Sequence, residues 1–201
     1  MSRAPAILFA ALAACGAGNS EPLFGGFTPS NGAAVILAPG NCNTIAALGP
    51  TALSGILVEL TSGADACKVL TEARQCGTGS GSTTLLAGAL SGAVGGSTVA
   101  PAGPGNYPFL ASPPSGAFLA STTTAAQVDA SCTTAQGSTA NMVGGTIAIS
   151  TVTASAVTGT MDVHFDNGQV YTNAFSVPVC PVSIDVCSLF ALCGTHTCVQ
   201  P

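Results

Sequence analysis

The chain has 201 residues, 47% of them apolar and only 5% charged, with a formal net charge of -5, nine cysteines and no tryptophan. A chain this apolar and this poor in charge is not a charge-rich disordered tail, and it predicts at least one compact domain of about 150 residues. Its basic residues are Arg3, Lys68 and Arg74 alone, too few to release counterions along a phosphate backbone or to build a polybasic membrane patch, so nucleic acid is excluded as a partner.

Residues 1–14 read as a secretory signal peptide, with Arg3 as the positive n-region, Ala4 to Ala14 as the apolar stretch and small residues leading into Cys15. As a helix, that stretch reaches roughly 16 Å, about half a hydrocarbon core, which is too short for a stable spanning anchor. Leu12-Ala13-Ala14-Cys15 resembles the lipobox of bacterial lipoproteins at all four positions. The resemblance implies export, cleavage before Cys15 and a diacylglyceryl group on its thiol, so that the membrane is a partner through acyl chains. By the same resemblance, Gly16 in place of Asp implies the outer membrane, with the domain on its periplasmic or surface face. Each buried methylene contributes about 0.8 kcal/mol, so two or three acyl chains would hold the protein firmly. Residues 15–26 then form a flexible tether and 27–201 a single β-rich, disulfide-bonded domain.

Cysteine parity agrees with that assignment. Setting Cys15 aside leaves Cys42, Cys67, Cys76, Cys132, Cys180, Cys187, Cys193 and Cys198, an even set that an exported chain uses most economically as disulfides, with 105 connectivities open.

Along the domain, Ala33 to Ala38 and Leu53 to Leu60 are short apolar runs bounded by Gly, Pro and Asn, the pattern of buried strands. The period then changes. Ser62 and Asp65 match a capping box, Ala66, Val69, Leu70 and Ala73 share one helical face, Lys68 and Glu72 form an i,i+4 pair, and Gly77 is a stop, which predicts one helix at the edge of the sheet over about 63–75. Cys67 and Cys76 would lie about 13 Å apart on opposite sides of that helix, beyond the roughly 7 Å Cα limit of a disulfide, so each requires another partner.

Residues 78–116 carry no charge and are rich in Gly, Ser, Ala and Pro. They are read as strands with long turns rather than as a linker, with a buried strand over Thr84 to Ala93 and a weaker one around Tyr107, Phe109 and Leu110. The last third is clearer. Ile147 and Ile149 begin one strand; Val157, Met161, Val163 and Phe165 alternate with Thr158, Thr160, Asp162 and His164 in the next; and Gln169 to Val177 forms a third. A two-residue Asn167-Gly168 turn would pair Phe165 with Val170. A three-residue Asp166-Asn167-Gly168 loop, the favoured reading, pairs Phe165 with Gln169, sets Tyr171 beside Val163 and places Phe175 over Gly159, leaving Asn173 to find a partner on the inner side. Beyond Pro178, Cys180, Cys187, Cys193 and Cys198 surround an apolar 186–192 segment and predict a short disulfide-stapled cap. The stretch from Gly144 to Cys180 is also similar in style to the C-terminal hairpins of uncharacterised cysteine-rich envelope lipoproteins, a resemblance that brings no catalytic or binding residues with it.

Three groupings invite chemistry. Asp162, His164 and Asp166 share a strand face as weak metal candidates, but residues two apart on a strand are about 6.6 Å apart, wide for one ion. Cys193, His196 and Cys198 lack the spacing of common zinc modules, and export favours oxidation of the thiols. No Gly-x-Ser-x-Gly elbow, His-Glu-x-x-His or phosphate loop is present, and only two histidines could serve a hydrolase. The sequence thus predicts a mainly β fold, an antiparallel sandwich or partly closed barrel, with no catalytic residues and no cofactor. It reads as a non-catalytic cell-envelope lipoprotein serving as a structural or protein-interaction module. The alternative is a binding module for a small apolar ligand or a glycan, and a hydrolase using His164 stands third.

Overall fold

The computed structural model describes residues 27–42, 51–63, 65–73, 77–79, 82–96, 98–112, 115–129, 131, 134–187 and 197–199. The signal, Cys15, the tether, Cys76, Cys132, Cys193, His196 and the 188–192 part of the cap lie outside these residues, as does the side chain of Cys198.

In chain order the elements are β1 (Asn31–Cys42), β2 (Thr51–Thr61), α1 (Ala66–Ala73), β3 (Gly77–Gly79), β4 (Ser82–Val94), β5 (Gly105–Pro108), β6 (Ala117–Val128), β7 (Thr134–Val152), β8 (Ala156–Phe165), β9 (Val170–Pro178), β10 (Ile184–Asp185) and β11 (Thr197–Val199). The main sheet runs β10-β1-β2-β4-β6-β7-β8-β9, while β11 and β3 form a separate parallel pair. Sequential strands pair antiparallel, and the sheet curls until its far edge returns to β1: Val179 bridges Ala34 in parallel, and the Cys180 N–H donates to the Ala34 carbonyl at 2.8 Å. Five residues on, Ile184 and Asp185 pair parallel with Leu37 and Ala38. The fold is therefore mainly β, a partly closed barrel, one of the two architectures the sequence left open.

Between β6 and β7 the wall opens, because their pairing covers Thr124–Asn141 to Val128–Thr134 only. β5 fills the gap by pairing Gly105 to Pro108 with Ile149 to Thr146 of β7, and Phe109 bridges Ser121 of β6. The preceding segment enters the barrel: Ala102 and Tyr107 belong to the inner core, the Tyr107 hydroxyl donates to the Gly103 carbonyl at 2.7 Å, and the Ser54 hydroxyl donates to the Ala100 carbonyl at 2.6 Å. Buried polar groups in this interior are thus partly satisfied by backbone of the chain itself, as burial demands.

Every residue of β2 is buried. Ile56, Val58 and Leu60 face the barrel interior with Ala34, Leu85, Tyr107, Met161 and Phe165. Leu53 and Leu57 face outward into a second core made with Ala33, Val35 and Leu37 of β1, Ala66 and Leu70 of α1, and Cys180, Ile184 and Val186. A strand covered on both faces loses its polar alternation, which is why this segment appears in the sequence as a mostly apolar run. β1 continues past Ala38 to Cys42 across a register shift between Leu37 and Gly40 that accommodates Pro39, a position where proline disturbs no continuous ladder.

α1 begins later than the sequence suggests. Asp65, not Ser62, is its N-cap: the Asp65 carboxylate accepts the Lys68 N–H at 2.9 Å, whereas the Ser62 hydroxyl accepts the Thr83 N–H at 2.9 Å and ties the chain to β4. Both residues are competent caps, and the strand beside Ser62 claims its oxygen first. The side chain of Glu72, the expected partner of Lys68, lies outside the described residues.

The β8–β9 hairpin takes the three-residue loop. The Gly168 N–H donates to the Phe165 carbonyl at 3.0 Å, the Phe165 N–H donates to the Gln169 carbonyl at 2.9 Å, and Gly168 has φ +83°, a conformation costly for any residue with a Cβ. Val163 pairs with Tyr171 and Gly159 with Phe175, whose ring lies where a Cβ on Gly159 would be, 2.7 Å from that position. Asn173 sits on the inner side but at the exposed margin, and its amide donates to the Tyr171 hydroxyl at 3.4 Å.

Candidate functional site

The β8–β9 hairpin carries the residues singled out for metal chemistry, and it brings two of them together and turns the third away. Asp162 and His164, two apart on β8, meet at 3.4 Å between Oδ1 and Nε2, with both side chains more than half exposed. The same carboxylate oxygen accepts the Thr172 hydroxyl of β9 at 3.1 Å. Asp166 turns the other way: Oδ1 accepts the Asn141 N–H at 3.0 Å, Oδ2 accepts the Asn141 side-chain amide at 3.4 Å, and the Asp166 N–H donates to the Asn141 carbonyl at 2.9 Å. Asp166 closes the end of β8 onto β7, so two of the three candidates come together and the third is a structural tie. Among the described residues no group of three metal-ligating side chains converges.

Nor does the hairpin assemble an acyl-transfer relay. The Thr172 hydroxyl donates to Asp162, so hydroxyl and imidazole both address one carboxylate, whereas a nucleophile must donate to the base itself. The neighbourhood is solvated and partly apolar: Val170, paired with His164, is 56% exposed, and Val143 at the register shift of β7 is 52% exposed.

Among the described residues, the group most perturbed by its surroundings is one the sequence reading passed over. Glu59 lies on the outward face of β2 between Ala33 of β1 and Leu86 of β4, and is only 2% exposed. Its Oε1 has no hydrogen-bond partner among the described residues. Burial, with a smaller contribution from the negative charge of Asp65, pushes its carboxyl up to about 8. The signal was a lone carboxylate in LSGILVEL, the apolar run covering residues 53–60. In a strand with only one buried face it would simply have been assigned to water.

The described disulfides join Cys42 to Cys187, with Cα atoms 5.2 Å apart, and Cys67 to Cys180, 5.6 Å apart. Cys67 therefore staples the first turn of α1 to the chain leaving β9, and Cys42 staples the end of β1 to the segment after β10. Both bridges lie in the outer layer, around the residues that cover β1 and β2. They mark a non-cytoplasmic protein, since such bonds persist in oxidising compartments. No helix among the described residues is long and apolar enough to cross a membrane. No family model matches the chain, and neither does any curated protein or solved structure.

Proposed function

We propose that the chain is a non-catalytic cell-envelope lipoprotein, exported, anchored to the bacterial outer membrane through acyl chains on Cys15, and acting through its barrel as a structural or protein-interaction module. The observation that carries this reading is the filling of the barrel. Tyr107, Met142, Ile147, Met161, Phe165 and Phe175, with at most 7% of each exposed, occupy the interior that a carrier would leave to its ligand. Ligand pockets of drug-sized molecules are concavities of about 300–1,000 Å³, and here the 98–109 segment and these side chains take up that space. The filled interior supports interaction through the outer surface over carriage of an apolar molecule. The Asp162–His164 pair is more than half exposed and its nearby Thr172 hydroxyl donates to the carboxylate, an arrangement that favours the non-catalytic reading.

The test is the intact mass of the membrane-extracted protein before and after reduction, together with fractionation of Cys15→Ala. The expected result is loss of residues 1–14, a lipid mass on Cys15, a gain of about two mass units per reduced bridge, and release of the variant from the membrane fraction. A native protein that retains residues 1–14 with an unmodified Cys15 overturns the reading.

A further inference from the structure

Glu59 has no part in the reading above, yet its position is costly. It is buried in the outer layer that α1 helps to cover, its Oε1 is unpaired among the described residues, and Asp65 adds a like charge from the N-cap of that helix. A buried carboxyl can keep such a place only while it is neutral. On its two flanks the strands are locked: β2 pairs with β1 from Asn31–Thr61 to Cys42–Thr51, and with β4 along its whole length. On its open side lies α1, an eight-residue helix held to the sheet by Ala66, Leu70 and one disulfide. A hydroxyl track leads outward past the end of the strand, from Thr61 to Thr84 and Ser82, each contact 3.4 Å.

We propose that Glu59 is a proton-operated latch in the layer that α1 covers: protonated, it lets α1 and the 180–187 strap seal the outer face of β1 and β2, and when its proton passes to solvent α1 swings away beyond Cys67 so that water reaches the carboxylate while the barrel stays folded. The charge shown to act on it, that of Asp65, agrees with this direction. Asp65 faces it from α1, which also carries Lys68 and Glu72; β10 carries Asp185; β1 and β4 contribute no ionisable side chain. The Cys67–Cys180 bridge limits the movement to a hinge, because Cys67 stays tied to the chain leaving β9. An exported domain meets the pH of its surroundings directly, so a latch of this kind would expose Val35, Leu37 and Leu57 in response to external pH.

The sign follows from linkage. The sealed form holds its proton up to about 8, whereas a hydrated carboxyl releases it near 4.5, so the sealed form is favoured fully below the lower value and loses ground as pH rises between the two. Hydrogen exchange on the mature, disulfide-intact protein reads this out, because eight helical residues lifted from their support do not remain helical. Protection of the Leu70 and Thr71 amides, corrected for intrinsic exchange, is expected to fall by up to about tenfold per pH unit between pH 5 and pH 8. Protection of Met161 and Val163 in β8 should stay constant, and Glu59→Gln should make the α1 amides independent of pH. Titration of the Glu59 carboxyl in the unaltered protein by carbon NMR, expected well above 4.5, provides a check that does not depend on the variant folding. Titration near 4.5, a pH-independent α1, the same pH dependence in Glu59→Gln, or loss of β8 protection in step with α1 would each overturn the latch.

Discussion

The inner core of the barrel and the outer layer over β1 and β2 are built from the same small, uncharged residues, but they are held by different means. The inner core, with Ile56, Tyr107, Met161, Phe165 and Phe175, is enclosed mainly by antiparallel ladders, some with register shifts, between strands that mostly follow one another in sequence. The outer core, with Val35, Leu37, Leu57 and Leu70, is covered by one short helix and by β10, which makes two residue pairs. Both described disulfides are there, closing sequence separations of 145 and 113 residues. Hydrogen-bonded ladders hold a wall without help, whereas a cover brought from far along the chain has a large loop-closure entropy to overcome, which a covalent bond reduces in the unfolded state. The one deeply buried carboxyl that is described also lies in the stapled layer, where a cover can yield without breaking the wall.

This contrast can be broken most directly from the inside. Phe165 is 2% exposed at the end of β8, and replacing it with alanine leaves a cavity that the ladders around it cannot close. Phe165→Ala is expected to cost about 3–5 kcal/mol in urea unfolding. A loss below about 1 kcal/mol would mean that the interior collapses freely and is not a packed core.

Removing a staple should have the next largest effect, and its location matters more than its size. Cys67→Ser with Cys180→Ser is expected to lower stability by about 2–4 kcal/mol, less than the full loop entropy because Cys42–Cys187 still restrains the same region. Hydrogen exchange on this double variant should show α1 unprotected while β8 and β9 remain protected. Equal loss in both regions would show one cooperative unit, and the division between wall and cover would fall.

How far these regions could be read in the sequence follows from their periodicity. The β8–β9 hairpin was legible down to its register, because strict alternation from Val157 to Phe165 and the Asp166-Asn167-Gly168 loop admit few pairings, and Phe175 over Gly159 favoured one of them. The helix was legible as an element but not at its start, since Ser62 and Asp65 are both capping residues and only the contact with Thr83 decides between them. The strand around Tyr107 was legible as a weak one, but its insertion between β6 and β7 was not, because it depends on where distant strands splay apart. Glu59 was hidden for a related reason: a mostly apolar run announces a buried strand but not that both faces are covered, and its charge acquires meaning only when the outer layer is placed over that strand.

The smallest effect is expected at the residues that most resembled a site. Asp162 accepts from Thr172 and meets His164, and both members of that pair are more than half in water. Solvent screening and side-chain entropy hold such pairs to about 0–1 kcal/mol, so Asp162→Ala should alter the urea midpoint little and leave the protection of Val163 and Tyr171 unchanged. A double-mutant cycle with His164→Ala isolates the coupling, which should stay within the same range. Coupling of about 2 kcal/mol or more would mean that the pair is dry in solution and its hairpin face covered. The outer surface of β8 would then belong with the sealed layer over β2 and not with the open wall.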